Sequence, residues 1–257
     1  MKPLIVANWK MNPQTLTEAK QLFNSVKRRI KNIRNLEVVI CPPFIYIPKI
    51  EDTPKQNKFA TGQARPKMQI GAQDSFWEKE GAFTGEISPL MLRNLGLRYI
   101  ILGHSERRKY LRETDEMINK KIKQALEFNL KPILCIGEKK GQTFEILELQ
   151  LKNGLKNVSK TRIKNLIIAY EPVWAIGTGK FCPDDQVLSA ALFIRKFIYQ
   201  KYNRTLANHL KILYGGSVNK ENAKSYIKES GVNGLLVGGA SLRANEFIEI
   251  LKSVSKI

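Results

Sequence analysis

The stretch that decides the fold is Leu166-Ile-Ile-Ala-Tyr-Glu-Pro-Val-Trp-Ala-Ile-Gly-Thr-Gly-Lys180. Its first residues form a short apolar run with the length and composition of a buried strand, and the carboxylate of Glu171 follows where that strand ends. A stiff Pro-Val-Trp segment and a small Gly-rich tip come next, which is typical of a loop that moves. A carboxylate at the mouth of a strand beside such a loop indicates proton transfer under a lid.

Apolar runs of this kind recur along the whole chain, at 4–7, 38–41, 68–72, 99–102, 132–136, 166–170, 212–214 and 234–237. Most lack strict alternation, as expected for parallel strands that are buried on both faces. Amphipathic helical stretches lie between them, most clearly at 17–30, 114–128, 143–158, 183–202, 219–228 and 244–254. Eight alternating units predict a parallel sheet with right-handed crossovers. Periodicity alone does not separate a closed barrel from an open doubly wound sheet.

The polar residues that follow the predicted strands favour the barrel. Asn8 and Lys10 follow the first strand, His104 follows the fourth and Glu171 follows the sixth, while Gly-Gly pairs follow the last two. These side chains converge on one face only if the first and eighth strands are neighbours, which requires closure. We therefore predict an α/β fold: a single (β/α)8 barrel, eight parallel strands ringed by helices, as one catalytic domain over residues 1–257.

The charge of the chain is strongly basic, with 43 Lys and Arg against 23 Asp and Glu for a net charge of +20. Lysines occur in nearly every predicted helix and loop rather than in one tract, which favours a solvated surface and no specific nucleic-acid partner. A polyanion-binding or nucleic-acid-binding protein on a retained barrel stays open as the alternative. That alternative predicts basic residues clustered on one face and steep salt dependence of binding.

Cysteine usage and hydropathy indicate the compartment. Cys41, Cys135 and Cys182 are odd in number, widely spaced and without a Cys-x-x-Cys pair, which fits reduced thiols in a cytosol. The apolar start of the chain is too short for a signal peptide, and no apolar run has the roughly 18 residues of a membrane helix. We expect a cytoplasmic protein with no membrane partner. Two distant histidines and scattered cysteines predict neither a metal site nor a metal cofactor.

His104 is the more informative of the two histidines. A lone histidine after a strand is often structural, but Ser105-Glu106-Arg107 has the composition of a first helical turn. The partial positive charge at a helix N-terminus favours neutral imidazole, which can donate a hydrogen bond to a carbonyl oxygen. His209 lacks such a context, and we expect it at the surface.

An anion site is predicted from Lys10 and the two glycine pairs. We expect Lys10 to supply a fixed positive charge near a developing oxyanion. Gly215-Gly216-Ser217 and Gly238-Gly239 follow the last two strands, where barrels bind phosphate through backbone N–H groups. Gly177 and Gly179 of the mobile loop would add another N–H group when the loop closes.

Together these motifs resemble the triosephosphate isomerase family over nearly the whole chain. The matched segments are 8–12, 71–73, 77 with 81–89, 103–108, 113–116, 135–138, 169–180, 214–218 and 236–242. The resemblance implies that dihydroxyacetone phosphate and D-glyceraldehyde 3-phosphate interconvert through an enediol(ate), in glycolysis and gluconeogenesis. An enzyme for another phosphorylated aldose or ketose stays open, because a fold alone does not fix the substrate.

The resemblance also implies a role for each site residue. Glu171 would shuttle the proton, His104 would polarise the carbonyl, Lys10 would stabilise negative charge and Asn8 would help to orient the site. The remaining assignments are phosphate binding by Gly177, Ser217, Gly238 and Gly239, an apolar clamp of Ile176 and Leu236, a lid latch at Tyr214, and pairing of Glu106 with Lys10. No cofactor is implied.

Family resemblance further implies a homodimer. Residues 73–86 are similar to the loop that reaches into the partner, with Thr84 near Asn8 and Lys10 of the partner subunit. Phe76, Trp77 and Phe83 make this loop apolar enough to need burial.

Several positions depart from the family pattern. Phe181-Cys182 replaces small residues at the end of the lid, and we consider Cys182 a candidate reactive thiol. Asn233 stands where Asp is usual, which puts in doubt an ion pair with Arg195. Leu111-Arg112 replaces a common aromatic-Gly pair, and 52–67 is longer than typical before the third strand.

Overall fold

Eight parallel strands pair side by side in chain order, and the eighth pairs with the first to close a barrel. The computed structural model describes residues 1–50 and 68–257, so the long 52–67 segment lies outside the described residues. Closure is direct, with Leu4 opposite Gly234 and Ala7 opposite Val237. The strands are β1 Leu4–Asn8, β2 Glu37–Cys41, β3 Met68–Ala72, β4 Tyr99–Leu102, β5 Lys131–Ile136, β6 Ile167–Tyr170, β7 Lys211–Tyr214 and β8 Gly234–Val237. The predicted barrel is confirmed, and each strand boundary agrees with the sequence prediction to within one residue.

Both faces of the strands are buried, which explains why the sequence shows no alternation. Alternate residues such as Val6, Val39 and Leu213 point inward and fill the barrel. Their neighbours, such as Ile5, Ile40 and Ile212, point outward and pack under the helices. The interior is therefore a packed core rather than a pore.

Eleven α-helices surround the strands within the described residues. They are α1 Leu16–Arg29, α2 Ile47–Ile50, α3 Pro89–Asn94, α4 Ser105–Tyr110, α5 Asp115–Glu127, α6 Glu145–Gly154, α7 Lys160–Ile163, α8 Asp184–Lys201, α9 Arg204–His209, α10 Ala223–Glu229 and α11 Ala244–Ser255. Side-chain caps start several of them: Thr15 and Glu18 form a reciprocal capping box at α1, and Thr114 caps α5. None of the described helices combines the length and the apolar character that crossing a membrane requires.

Six of these helices match the sequence prediction, with corrected ends. The helix predicted at 219–228 begins only at Ala223, because Asn219 and Asn222 exchange side-chain-to-backbone hydrogen bonds that hold a turn. The helix predicted at 143–158 ends at Gly154, and the chain reverses at Asn157, where φ is 58°. His209 is exposed, as predicted.

Parallel strands give the barrel two chemically different ends. We call the end where strands finish the carboxyl end; its connections are 9–15, 42–46, 73–88, 103–114, 137–144, 171–183, 215–222 and 238–243. We call the other the amino end; its described segments are 1–3, 30–36, 95–98, 128–130, 155–166, 202–210, 230–233 and 256–257.

The departure at Asn233 lies at the amino end. Arg195 Nη2 donates to Asn233 Oδ1 at 2.8 Å, and Arg195 Nη1 donates to the carbonyls of Ala207 and Leu210 at 2.7 and 3.1 Å. The Arg195 guanidinium therefore donates to a neutral amide oxygen, at a position where Asp would form an ion pair with it.

Candidate active site

Glu171 directly follows β6 and is almost fully buried. Its side chain is 1% exposed, and its Oε2 accepts a hydrogen bond from the Ser105 backbone N–H at 3.1 Å. A Cβ on Gly215 would come within 2.9 Å of Glu171 Cγ, and one on Gly137 within 1.7 Å of its carbonyl oxygen. Only glycine at these two positions leaves room for the carboxylate. Oε1 is also buried, and none of the described residues forms a hydrogen bond to it.

His104 faces this oxygen. It caps α4, and its Nδ1 accepts a hydrogen bond from the Glu106 backbone N–H at 3.2 Å. An accepting Nδ1 is unprotonated, which leaves the ring proton on Nε2. Nε2 lies 3.3 Å from Glu171 Oε1. A hydrogen-bond donor and a carboxylate oxygen thus lie side by side, so that neighbouring atoms of one substrate could contact both.

Lys10 follows β1 and lies at the same end of the barrel as His104. Its ammonium group pairs with Glu106, and Asn8 Oδ1 accepts the Lys10 backbone N–H at 3.1 Å. The Lys10 backbone has a φ of 54°, an unfavourable conformation for a residue with a Cβ. Gln73 Nε2 donates to the Lys10 carbonyl oxygen at 2.8 Å and helps to hold that conformation.

A cavity of about 280 Å³ opens beside these groups at the carboxyl end. Of the residues predicted from sequence, it is lined by Asn8, Lys10, His104, Ile176, Gly177, Ser217, Leu236, Gly238 and Gly239. Glu171 and Tyr214 do not line this cavity, and both are almost fully buried. Thr84 is exposed on the 73–86 loop and does not line this cavity.

The donors that this cavity offers suit an anion. They are the backbone N–H groups of the glycine-rich segments together with the Lys10 ammonium group, whose Nζ would lie 3.8 Å from a Cβ on Gly238. Within residues 1–50 and 68–257, no three His, Cys, Asp or Glu side chains are grouped so that they could hold a metal ion.

The segment that we predicted to be a lid, 172–182, is anchored at both ends. At its start, Glu138 Oε1 accepts hydrogen bonds from the Tyr170 hydroxyl at 2.8 Å and the Trp174 indole N–H at 3.4 Å. At its end, the Tyr214 hydroxyl accepts the Cys182 backbone N–H at 3.4 Å. Ser217 Oγ donates to the Ala175 carbonyl at 2.6 Å. Between these anchors, residues 177–180 are exposed, with Gly177 and Gly179 at positive φ.

Sequence reasoning gave Glu138 no role, although it noted the segment. Burial raises the pKa of Glu138, and the hydrogen bonds from Tyr170 and Trp174 oppose that rise. The signal that would have found it is the one that found Glu171: a carboxylate directly after a strand.

The hypothesis of a reactive thiol at Cys182 is wrong. Its side chain is buried, and this burial, with the nearby Glu138 carboxylate, raises the Cys182 pKa to about 12. The thiolate that would react is therefore scarce at neutral pH.

A network of charged side chains that the sequence did not predict holds α4, the helix that His104 caps. Lys121, 2% exposed, contacts Asp74 at 2.7 Å and Glu113 at 2.5 Å. Arg107 on α4 completes the group, with 2.8 Å to Asp74 and 2.5 Å to Glu113. These four residues, the buried ion network, fix the helix that His104 caps against the start of the 73–86 loop.

Comparison with known proteins agrees with this geometry. The family model described as triosephosphate isomerase matches residues 3–254. The chain is 44% identical to the triosephosphate isomerase of Dictyoglomus turgidum over 98% of this chain and 99% of that protein. It is 42% identical to that of Alkaliphilus oremlandii and 44% identical to that of Thermoanaerobacter sp. (strain X514), each over 97% of this chain and 98% of the relative.

Proposed function

The chain belongs to the triosephosphate isomerase family and is an isomerase of triose phosphates, and on this premise we propose the role of each site residue. The substrate pair is dihydroxyacetone phosphate and D-glyceraldehyde 3-phosphate, which differ in the position of one proton and one carbonyl. Glu171 Oε1 takes the proton from one carbon and returns it to the next, through an enediol(ate). The whole chain, 1–257, acts as one catalytic domain and needs no cofactor.

His104 and Lys10 stabilise the charge that develops on the substrate oxygens. The Nε2–H of a neutral imidazole donates to the carbonyl oxygen, and the Lys10 ammonium group adds a fixed positive charge that Glu106 holds in position. Asn8 keeps the Lys10 backbone in place through the 3.1 Å hydrogen bond. The observation that carries the proposal is the 3.3 Å approach of His104 Nε2 to Glu171 Oε1, beside a cavity whose donors suit an anion.

The phosphate group of the substrate occupies the glycine-rich side of the cavity. Backbone N–H groups of Gly177, Ser217, Gly238 and Gly239 bind it, because an anion can approach a backbone that carries no Cβ. Ile176 and Leu236 close over Glu171 as an apolar clamp, and Tyr214 latches the closed lid through the Cys182 N–H. Closure keeps water from the intermediate. A cavity of about 280 Å³ supports a three-carbon substrate rather than a larger sugar phosphate.

A homodimer is the proposed assembly, through the 73–86 loop. The ring centroid of Phe76 lies 4.0 Å from that of Trp77, on which it stacks, and 4.7 Å from that of Phe83. Phe83 nevertheless remains 43% exposed. Thr84, next to it, is exposed as a partner contact requires. A monomer by sedimentation that retained full turnover would contradict this assembly. We expect the enzyme to act in the cytoplasm, in glycolysis and gluconeogenesis.

The test is a coupled assay of glyceraldehyde 3-phosphate conversion at about 0.1 M salt, where surface charge is largely screened. We expect fast turnover that Glu171→Gln lowers by about 10²- to 10⁴-fold, the range of general base catalysis. Glu171→Asp, which retracts the carboxylate by roughly 1 Å, should cost turnover far more than substrate binding.

The matched control is Glu37→Gln, which removes a carboxylate at the opposite end of the same barrel and should leave turnover intact. Undiminished turnover in Glu171→Gln would mean that the base is misassigned. No turnover from a folded wild-type dimer would contradict the activity itself.

A further inference from the structure

The amino end of the barrel carries a charge pattern that the isomerase reaction does not use. Its described segments contain ten Lys and Arg residues and no Asp or Glu; within the described chain, carboxylates near this end occur in the adjoining strand and helix ends, such as Glu37 of β2 and Glu127 of α5. The ten are Lys2, Lys31, Arg34, Arg98, Lys156, Lys160, Arg162, Lys164, Arg204 and Lys256. All are exposed except Arg98, which is half-buried.

The carboxyl end differs although its connections are longer. There, eleven Lys and Arg stand against nine Asp and Glu, so the charges nearly balance. The basic residues look scattered along the sequence because no described amino-end segment carries more than four of them and two carry none. The alternation of strand and helix collects them at one end, which is the clustering that the polyanion-binding alternative predicts.

Helix dipoles do not account for this cluster. The C-terminus of a helix favours a cation within its last turn, which explains residues such as Lys152, Lys201 and Lys252. Of the ten, Lys160 and Arg162 lie in the last turn of the four-residue helix α7, Arg204 begins α9, and the other seven lie in the connections outside the α-helices. A dipole also favours cations without excluding every carboxylate from eight separate segments.

Segment 155–166 is the densest part of the cluster. Lys156, Lys160 and Lys164 are exposed, and no ion pair holds any of them within the described part of the chain. Arg162 lies 3.5 Å from the exposed Glu127 of α5. Three unpaired ammonium groups therefore project from a folded, nine-residue stretch anchored by α7.

Neutral hydrogen-bond donors accompany these charges. Asn157, Ser159 and Thr161 are exposed on the same segment, and Asn32 and Asn35 are exposed on 30–36. Lys, Arg, Asn, Ser and Thr are the side chains that contact phosphate and sugar oxygens of nucleic acids. The described amino-end segments have no exposed Phe, Tyr or Trp side chain that would stack on bases.

The same surface is poorly suited to a membrane. Its large exposed apolar side chains are Met1, Leu95 and Ile257, on three separate segments. Interfacial membrane binding requires a continuous apolar face beside the charges. The charges here also sit on short folded connections rather than on a flexible polybasic tail.

We propose that the amino end binds the phosphate backbone of nucleic acid without regard to sequence. Backbone contacts carry no base information, so the expectation of no specific nucleic-acid partner is unaffected. The proposed dimer loop, 73–86, lies at the carboxyl end, so dimerisation leaves the basic end exposed. The enzyme can then hold nucleic acid and turn over substrate at the same time.

The test is fluorescence anisotropy with a labelled 20-base-pair duplex DNA of mixed sequence, titrated between about 0.05 and 0.2 M salt. We expect micromolar binding at the low end and a steep fall with salt, as for backbone contacts. Lys156→Gln/Lys160→Gln/Lys164→Gln should weaken binding roughly 10- to 100-fold at about 0.1 M salt and lower the log–log salt slope by about 2 to 3.

The matched control removes the same charge from the other end, as Lys139→Gln/Lys140→Gln/Lys220→Gln. We expect the reduction in salt slope for this variant to be less than about a third of that for the amino-end variant. The amino-end variant should keep wild-type turnover. Saturating duplex should leave kcat/KM unchanged, because the two sites are at opposite ends.

Four results would overturn the proposal. Equal weakening by both triple variants would mean that total charge binds the duplex rather than this end. Competitive inhibition of turnover by the duplex would place it in the active site. Tighter binding to phosphatidylserine vesicles than to the duplex, or no duplex binding at about 0.05 M salt, would show that nucleic acid is the wrong partner.

Discussion

The carboxyl and amino ends of the barrel differ in which residue types adopt a positive φ. At the amino end the non-glycine residues with positive φ are Asn35, Asn129 and Asn157, a residue type that tolerates this region. At the carboxyl end they are Lys10 and Arg112, which do not. The amino end thus follows the local rules of chain reversal, whereas the carboxyl end breaks them at Lys10, which lines the cavity. Backbone strain therefore marks the functional end of this barrel.

Buried charge follows the same division. The carboxyl end buries Glu171, Glu138 and the buried ion network, including carboxylate oxygens without partners in the described chain. At the amino end the half-buried Arg195 contacts only neutral oxygens. Desolvated charges are costly, so the catalytic end of the molecule should be the one that is sensitive to their removal.

The largest expected effect compares one buried cation from each end. Lys121→Met leaves Asp74 and Glu113 buried with one cation fewer, and we expect the free energy of unfolding to fall by about 3–5 kcal/mol. Arg195→Met leaves only carbonyl and amide oxygens unsatisfied and should cost about 1–3 kcal/mol. Equilibrium urea unfolding at one fixed protein concentration measures both. Equal losses would remove the proposed distinction between the ends.

The two histidines of the chain give the next comparison, because they lie at opposite ends. His104→Gln removes the Nε2–H donor and should lower kcat/KM by about 10²- to 10³-fold, as for other oxyanion donors. His209→Gln, which removes only a contact with the Thr205 carbonyl, should leave kcat/KM within about twofold. Steady-state assays of both variants suffice. An intact His104→Gln enzyme would show that the carbonyl is polarised by another group.

Strain at Lys10 can be measured by itself. Lys10→Ala and Lys10→Gly remove the same charge but differ in the Cβ, so the Gly variant should be the more stable by about 1 kcal/mol. Asn157→Gly should change the free energy of unfolding by only a few tenths, because Asn adopts positive φ at little cost. Urea unfolding of the three variants tests this. Equal stability of the two Lys10 variants would mean that the backbone at Lys10 is unstrained.

The smallest effect concerns pH and the carboxylate of Glu37 at the amino end. Burial raises its pKa, but the Tyr99 hydrogen bond and the charges of Lys211 and Lys131 outweigh burial and hold the pKa below the ordinary 4.5. A lowered pKa gives stability that is present above pH 4.5 and is lost as the pH falls through the folded-state value.

Glu37→Gln should therefore flatten the acid side of the stability profile by less than about 1 kcal/mol, since the side chain is partly exposed. Urea midpoints between about pH 3 and 7 measure it, with Glu80→Gln on the exposed 73–86 loop as the control of equal charge. A profile that Glu37→Gln left as steep as before would contradict the assignment.

The strands and the closure of the barrel were predictable from sequence because their signals are local. Runs such as 99–102 are apolar on both faces, and polar residues such as His104 and Glu171 mark where strands end. The helices α2, α3, α7 and α9 were missed, since stretches of four to six residues are too short to show helical periodicity. The candidate site residues Asn8, Lys10, His104 and Glu171 were predicted in the same way, as polar residues at or just after strand ends, whereas the clamp, latch and dimer residues came from the family resemblance.

What the sequence did not predict depends on contacts between distant segments. The buried ion network joins Asp74 to Lys121 and Glu113, and no local pattern marks any of them as buried. The φ of Lys10 depends on a hydrogen bond from Gln73, and the burial of Cys182 depends on packing against β7 and α10. The basic cluster at the amino end emerges only when the connections are sorted by end.

The inaccessibility of all three thiols makes the molecule convenient for spectroscopy. Cys41, Cys135 and Cys182 are each at most 1% exposed, and burial raises the pKa of all three. A maleimide dye should therefore spare the native chain, and a cysteine introduced at the exposed lid position Thr178 would take up a single label. Lid opening could then be followed by fluorescence in real time without first removing any native cysteine.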